Sequence, residues 1–319
     1  MPYVLFSLLC FIWGSSFILM KKATLAFSPL GVSAGRVLGG AAVLAAVWLV
    51  QRGAWPLRRK DAGAVLFVVL AGFAWPYMLQ PWLVARHGSG FIGTTVSFVP
   101  LLTIAASIPV LSVYPTPRQL IGVLGGLFCM GLLTKDGMDR QIPPEELLLA
   151  LSVPACYALT NVCIRRQLQH VPSLPLSAVT LSVAAVLLLP PALWGEHPDP
   201  VASGALPLAV ASLALLGVVG TGIGMFIFNK MVLDQGPLFA GMVTYLVPVG
   251  ALIWGWVDEE QVTLLQFVAL AGVFAMVALV QFGAVGRTSR APMERGVRSA
   301  SEPHSGAETA TKEKTGPTS

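Results

Sequence analysis

Charged residues are scarce in this sequence. Only 11% of its 319 residues are Asp, Glu, Lys or Arg, whereas 55% are hydrophobic and the mean hydropathy is +0.76. Soluble globular proteins carry roughly 25% charged residues, which they need to cover their surface. The scarcity of charge therefore excludes a soluble globule and predicts an integral membrane protein.

Cysteine is scarce as well, and its placement suggests neither disulfide bonds nor a metal site. A thiol inside an apolar run usually packs as a small hydrophobic group. No basic stripe with interleaved aromatic residues occurs, so the net charge of +5 reports membrane orientation rather than nucleic-acid binding. We predict no cofactor, no metal and no nucleic-acid partner. The four cysteines, all inside apolar runs, are Cys10, Cys129, Cys156 and Cys163.

What the sequence does contain is ten long apolar runs. Each has about 17–24 residues, and a helix that rises ~1.5 Å per residue then crosses a hydrocarbon layer of ~30 Å. Strands of a membrane barrel would be about 10 residues long with alternating polarity, a pattern that is not seen. The runs are Tyr3–Met20, Gly31–Gln51, Ala62–Ala85, Gly90–Val113, Arg118–Thr134, Leu147–Ile164, Leu174–Gly195, Pro207–Asn229, Leu238–Val257 and Thr263–Val285.

The second half of the chain repeats the first. When Pro100 is aligned with Pro248, Gly88 also meets Gly236, and the offset stays between 144 and 148 along both halves. A series of matches at a nearly constant offset indicates an internal duplication. Because each half has five spans, an odd number, the second half must enter the membrane inverted. Further aligned pairs are Trp13 with Tyr157, Lys21 and Lys22 with Arg165 and Arg166, and Thr116 with Thr263.

The distribution of Lys and Arg predicts the orientation. With the N-terminus in the cytoplasm, the inside loops and the start of the tail hold twelve of these residues and the outside loops five. The protein is therefore expected in the cytoplasmic membrane, with both termini on its cytoplasmic side. The domain prediction is a first five-helix repeat at residues 3–134, a second at residues 146–285, and a disordered cytoplasmic tail at residues 286–319, where polar residues take over.

Three sequence features carry a family resemblance: FIWGSSF in the first span, Arg36 early in the second, and TPRQLIGVLGG at the junction of the fourth and fifth. With the duplicated five-span halves, the chain resembles the EamA family of the drug/metabolite transporter superfamily. The resemblance implies ten helices around a central cavity and transport of small metabolites. The family often has a Gly-Glu pair before the Thr-Pro of that junction, where this chain has Ser112 and Val113; in the second half Glu260 stands at the expected spacing.

Within the spans the charged side chains are Arg36 and, at a span end, Arg118. No Asp or Glu is expected in the hydrocarbon region, which disfavours the buried carboxylate of a proton-coupled carrier and favours facilitated diffusion, exchange or coupling through the substrate itself. Arg36 has two interpretations. Its side chain either extends to the membrane interface or faces a cavity and binds an anionic group of the substrate.

Polar and aromatic residues near the middle of the spans are the predicted substrate site. Tyr and Trp usually concentrate at membrane interfaces, so rings at mid-depth suggest a cavity. The alternative is interhelical hydrogen bonding and packing. Trp13 and Tyr157 are expected to line one cavity because equivalent positions of an inverted repeat face a shared axis. The predicted site residues are Trp13, Ser16, Arg36, Trp75, Tyr77, Gln80, Thr95, Tyr157, Thr160, Asn161 and Tyr245.

Prolines and glycines are assigned to mobility and to packing. A proline inside a helix frees a backbone carbonyl and bends the helix, so Pro76, Pro81, Pro100 and Pro248 are predicted hinges, with static curvature as the alternative. Glycines at four-residue spacing indicate close helix contacts. These glycines are Gly31, Gly35 and Gly39 in the second span, and Gly220 and Gly224 in the eighth.

The predicted function is transport of small amino-acid-like, amphipathic or drug-like metabolites by alternating access, in the direction of export. The expected partners are the substrate and the lipid bilayer, and the chain is expected to act as a monomer. A polytopic membrane enzyme and a non-transporting sensor are the alternatives. HGSG at residues 87–90 places a His beside a Ser, but without the third group of a triad, and Asp258–Glu260 is read as a solvated loop or, in the enzyme alternative, an acidic site.

Overall fold

The computed structural model describes residues 2–52, 55–111, 116–194, 205–235 and 243–282. The predicted disordered tail at residues 286–319 lies outside these described residues, as do Ser112 and Val113 and the first residues of the predicted ninth span.

The described part of the chain is mainly helical and contains no strand. Eight helices are long and apolar enough to cross a membrane, and two further apolar helices, α9 and α10, are shorter. This confirms an all-α membrane protein. The spans are α1 (Pro2–Ala23), α2 (Pro29–Val50), α3 (Arg59–His87), α4 (segments Ser89–Thr95, Val96–Phe98 and Val99–Leu111), α5 (Pro117–Asp139), α6 (Pro144–Leu168), α7 (Ser173–Trp194), α8 (segments Leu206–Ala214, Leu215–Ile223 and Gly224–Gln235), α9 (Val243–Val257) and α10 (Leu264–Phe282).

Helix α5 is longer than its apolar run and carries a buried carboxylate past the end of that run. The run was expected to stop at Thr134, but the helix continues to Asp139 and buries Asp136. The Asp136 carboxylate pairs with Arg140, one turn further on, and accepts hydrogen bonds from Thr263 and Gln266. These partners compensate the charge of the buried carboxylate, so the helix can continue past it. A hydropathy profile of the sequence does not reveal such partners.

The helices pack in a recurring pattern of pairs. Helix α2 packs against α7 and α8, α5 against α10, and α9 against both α1 and α4. Helix α6 packs against α3 and α4, α1 also contacts α8, and α3 contacts α7. Many large apolar side chains are exposed on the outside of this bundle, as expected for a lipid-facing surface.

Glycines allow the closest of these contacts, as their spacing predicted. A Cβ atom built on Gly39 of α2 would lie 3.0 Å from the Cα atom of Gly217 of α8, and one built on Gly35 would lie 2.9 Å from Leu213. Between α1 and α9, a Cβ atom on Gly14 would lie 3.0 Å from the Cα atom of Gly250. Small residues let helix backbones approach in this way in a membrane, where van der Waals packing drives association.

Three spans contain segments of wider, π-helical winding: Val68–Ala74 in α3, Ile164–Leu168 in α6 and Leu215–Ile223 in α8. Such segments often occur at functional sites because they leave backbone carbonyls without their usual partners. Pro76 lies two residues after the first of them, and Pro81 and Pro248 lie inside helical segments. Pro100 follows the short 3₁₀ turn Val96–Phe98 of α4. Their role as hinges stays a prediction.

Candidate functional site

Arg36 of α2 is buried in the helix bundle, with 8% of its surface exposed. Its Nε atom donates a hydrogen bond to Oγ1 of Thr221 at 3.0 Å, and its Cζ atom lies 4.0 Å from the ring centroid of Tyr77. Its Nη1 atom is 3.5 Å from the sulfur of Met20. The side chain therefore points between α1, α3 and α8 and does not extend to the surface of the bundle, which favours the cavity-facing interpretation.

No carboxylate compensates this charge in the part of the chain that the structure describes. None of the ion pairs between the described residues involves Arg36. A guanidinium has five N–H donors, and a buried cation without an anionic partner is costly. The hydroxyl of Thr221 and the face of Tyr77 compensate part of that cost, since a cation–π contact stabilises by about 0.5–2 kcal/mol.

Tyr77 and Gln80 of α3 bring Tyr157 of α6 to the same place. Tyr157 packs against the apolar cluster that contains Tyr77, and it lies near Gln80 and Arg36. Ser33 donates a hydrogen bond to the backbone carbonyl of Tyr77 and fixes α3 against α2. Three aromatic or amide side chains and one cation thus converge from three helices.

Trp13 and Ser16 of α1 face the π-helical segment of α8. The indole Nε1 atom of Trp13 donates a hydrogen bond to the backbone carbonyl of Gly220 at 3.0 Å, and its ring centroid lies 5.3 Å from that of Phe228. Gly224 leaves room for the indole, because a Cβ atom there would lie 2.7 Å from Nε1. Ser16 lies against Gly220 and donates to the carbonyl of Ile12.

These contacts form one continuous set, which we call the Arg36 cluster. Contacts that connect Trp13 with Tyr157 pass through α8, Arg36 and Tyr77. Its members come from five helices, and six of them are predicted site residues. The Arg36 cluster consists of Trp13, Ser16, Arg36, Tyr77, Gln80, Tyr157 and Thr221.

The other predicted site residues make contacts elsewhere. Trp75 is 38% exposed and donates to Ser152 of α6, and Thr160 of α6 packs against Gly72. Thr95 bonds a carbonyl within its own helix, Asn161 donates to Thr103, and Tyr245 packs against the largest apolar core. The sequence reading omitted Thr221. Thr221 is a polar residue in an otherwise apolar span, and this could have marked it as a site residue. It lies within the GTGIG run, whose glycines were assigned to helix contacts.

A second polar assembly lies where α1 ends, α4 begins and α9 connects to α10; we call it the latch. Lys21 pairs with Asp258 at 2.6 Å and with Glu260 at 2.7 Å, and Lys22 pairs with Asp258. Glu260 also accepts hydrogen bonds from the backbone N–H and the hydroxyl of Ser89 and from the N–H of Gly90. The expectation of a solvated loop is wrong for Glu260, whose side chain is 8% exposed, whereas Glu259 beside it is exposed.

Backbone geometry makes room for the Glu260 carboxylate. Gly88 has φ +90°, a conformation that other residues rarely adopt, and a Cβ atom there would lie 2.8 Å from Oε2 of Glu260. A Cβ atom on Gly255 would lie 2.7 Å from the same oxygen. Helix α4 begins at Ser89, so its first N–H groups and the positive end of its dipole face the carboxylate.

These partners predict an acid-dependent stability. Burial alone raises the pKa of Glu260, but hydrogen bonds from Gly90, Lys21 and Ser89 outweigh it and hold the pKa below its ordinary value. A lowered folded-state pKa contributes stability above the unfolded value, about 4.3, which is lost as the pH falls through the folded value. We expect the melting temperature in detergent to decline below about pH 4. Glu260→Gln should flatten that decline, and identical acid profiles for the two proteins would contradict the assignment.

Comparison with known proteins gives the chain its relatives. The EamA-like transporter family matches residues 1–134 and again residues 145–282. The uncharacterized transporter YoaV of Bacillus subtilis is 24% identical over 79% of this chain and 87% of its own. The uncharacterized inner membrane transporter YedA of Escherichia coli is 25% identical over 85% of this chain and 88% of its own. An S-adenosylmethionine/S-adenosylhomocysteine transporter of Chlamydia muridarum is 25% identical, over 80% and 83%.

A solved crystal structure has the same fold, with a TM-score of 0.61 over 89% of this chain and 98% of the other, at 21% identity. The family match extends over nearly all of the helical segments, and the named relatives are transporters, one of them of the inner membrane. The chain is a multi-pass membrane transporter and belongs to the EamA-like transporter family.

Proposed function

We propose that this transporter exports small zwitterionic metabolites, amino-acid-like and amphipathic, and that the Arg36 cluster is their binding site. The observation that carries the proposal is a buried guanidinium with no acidic partner among the described residues. A substrate carboxylate would compensate that charge in the bidentate geometry that Arg favours.

The remainder of the cluster suits the other parts of such a substrate. The indole of Trp13 and the ring of Tyr157 offer aromatic surface to an apolar side chain or to an ammonium group. Gln80 and Thr221 supply neutral hydrogen bonds without the cost of a second buried charge. A polyanion is disfavoured because Arg36 is the single cation of the cluster. Trp13 also contacts α8, and these contacts are what the packing alternative for this residue predicts.

One relative supports the amino-acid-like class. The Chlamydia muridarum protein is named for S-adenosylmethionine and S-adenosylhomocysteine, and both compounds carry an amino-acid group together with an aromatic base. At 25% identity the two proteins share a family and not a substrate assignment. The relative therefore guides the choice of compounds for a first screen.

The proposed mechanism is alternating access between two inverted repeats, residues 3–134 and 146–285, with both termini in the cytoplasm. The helix pairing supports it. In the proposed repeats, helices α1 to α5 correspond in order to α6 to α10. Under this correspondence the α1–α9 contact has the counterpart α6–α4, α1–α8 has α6–α3, and α2–α8 has α7–α3. All of these contacts occur. The pairs α2–α7, α4–α9 and α5–α10 join counterparts directly. The chain is proposed to act as a monomer, by exchange or facilitated diffusion.

Exchange of an amino-acid-like compound across a vesicle membrane tests the function. Inverted vesicles or proteoliposomes are loaded with an unlabelled zwitterion, and entry of the same labelled compound is measured from outside. We expect that the unlabelled compound inside stimulates entry of the labelled compound. The free acid should inhibit this entry about tenfold better than its carboxamide, because the amide loses one charged hydrogen bond. Equal inhibition by acid and amide would overturn the substrate class, and absence of exchange for every zwitterion tried would overturn the function.

A further inference from the structure

We infer that the latch is a gate that keeps one end of the transport path closed, and that the aligned positions of the other half lack its carboxylate and one of its donors. The protein would then rest with the latch end closed and the Arg36 cluster accessible from the opposite side. This inference rests on alternating access in the proposed function.

The latch joins segments that an opening movement has to separate. Lys21 lies in the last turn of α1 and Ser89 begins α4, and both helices belong to the first proposed repeat, whereas Glu260 follows α9 in the second. Ion pairs and backbone hydrogen bonds to one carboxylate therefore connect the two halves at this end. Opening would break all of them together and leave the carboxylate of Glu260 without its partners.

The helices under the latch are already in close contact. A Cβ atom built on Gly255 of α9 would lie 3.1 Å from the Cα atom of Gly90 of α4. Between α1 and α9, Trp254 donates a hydrogen bond to Ser15 at 2.9 Å, about two turns from Lys22. Separation of α9 from α1 and α4 would open a path at this end, and the latch lies directly over that junction.

The sequence shows that the device is not duplicated. In the alignment of the two halves, Thr116 meets Thr263, so Val113 stands opposite Glu260. Gly88 meets Gly236, so Pro237 stands opposite Ser89. Valine offers no charge and proline has no backbone N–H to donate. Both the acceptor and one of its donors are thus missing from the counterpart position, and the two ends of the path are expected to close with unequal strength.

Glu259 provides a matched control for a test on Glu260. Both are acids in the same loop, but Glu259 is exposed and forms none of the latch contacts described above. The reporter is Thr94→Cys, a fully buried position one turn below Gly90 in α4. Labelling by a membrane-impermeant maleimide is measured peptide by peptide, so the native cysteines do not interfere. The vesicle orientation in which Glu259→Cys reacts has the latch end outward, and that orientation is used.

We expect Glu260→Gln to increase the labelling rate of Thr94→Cys by about tenfold or more, and Glu259→Gln to leave it unchanged. Lys21→Met, which removes one partner, should have an intermediate effect. A labelling rate that Glu260→Gln does not change overturns the gate. Failure of both Glu260→Gln and Lys21→Met to accumulate as folded protein would assign the network to stability and also overturn it. The assay needs no substrate, so its result is independent of the substrate class.

Discussion

Replacing Arg36 by methionine is expected to reduce exchange of a zwitterionic substrate about 10- to 150-fold while the protein still folds. The range corresponds to the loss of one charged hydrogen bond, about 1.5–3 kcal/mol. Methionine is apolar and of similar length, and removal of a buried cation that lacks an acidic partner does not leave an uncompensated charge behind. Exchange in proteoliposomes and melting in detergent should be measured on the same preparation.

Arg86→Met is the matched control for that experiment. Its guanidinium also stacks on an aromatic ring, with Cζ 4.2 Å from the ring centroid of Trp82, but it pairs with Glu146 at the surface. We expect exchange to be retained. Arg36→Lys keeps the charge but loses the planar fork and should fall between the two variants. Normal exchange by Arg36→Met, or a large loss of stability with unchanged substrate affinity, would contradict a binding role.

Replacing Gly39 by leucine is expected to have the largest effect on folding. The Cβ atom alone would lie 3.0 Å from the Cα atom and 3.1 Å from the carbonyl carbon of Gly217. Backbone atoms of a packed helix cannot move aside as a side-chain end does, so α2 and α8 would have to separate. Overpacking costs about 1–3 kcal/mol where side chains can adjust, and more is expected here. Loss of the monodisperse protein in detergent is the measurement.

Gly131→Leu controls for the intrinsic effect of the substitution. Gly131 lies in the middle of α5, and a Cβ built there meets no atom within 4 Å apart from the backbone of its own helix and its chain neighbours. In both positions the change favours helix formation by about 0.8 kcal/mol, so a difference between the two variants measures the helix contact. Accumulation of folded Gly39→Leu at the level of Gly131→Leu would show that α2 and α8 are not packed as described.

The candidate site was partly predictable from the sequence. Arg36, Tyr77 and Tyr157 were selected because charged and amphipathic side chains are unusual inside apolar spans, and the structure brings them together. Trp75 was selected for the same reason, yet it is exposed and Tyr77, two residues further along, is buried. Two residues correspond to about 200° of rotation on a helix. Since lipid and protein interior are both apolar, the sequence does not tell which face of a span points inward.

The latch was misread for a related reason. A run of acidic residues between two apolar spans is usually a solvated loop, and nothing along the chain connects Glu260 with Ser89, which lies 171 positions away. The donors that hold this carboxylate include backbone N–H groups at the start of α4. Such groups have no signature in the sequence, because every residue except proline carries one.

The sequence by itself determined that this is a helical membrane protein and which parts of the chain form its spans. The reason is that the thickness of the hydrocarbon layer sets the minimum length of an apolar run that can cross it as a helix. Only the tertiary structure decided which polar groups meet: Arg36 with Tyr77 and Thr221, Asp136 with the residues that allow α5 to extend past its apolar run, and Glu260 with Lys21. These contacts depend on the rotation and depth of each helix relative to its neighbours. Close approaches between helix backbones, such as that of Gly39 and Gly217, determine this rotation and depth.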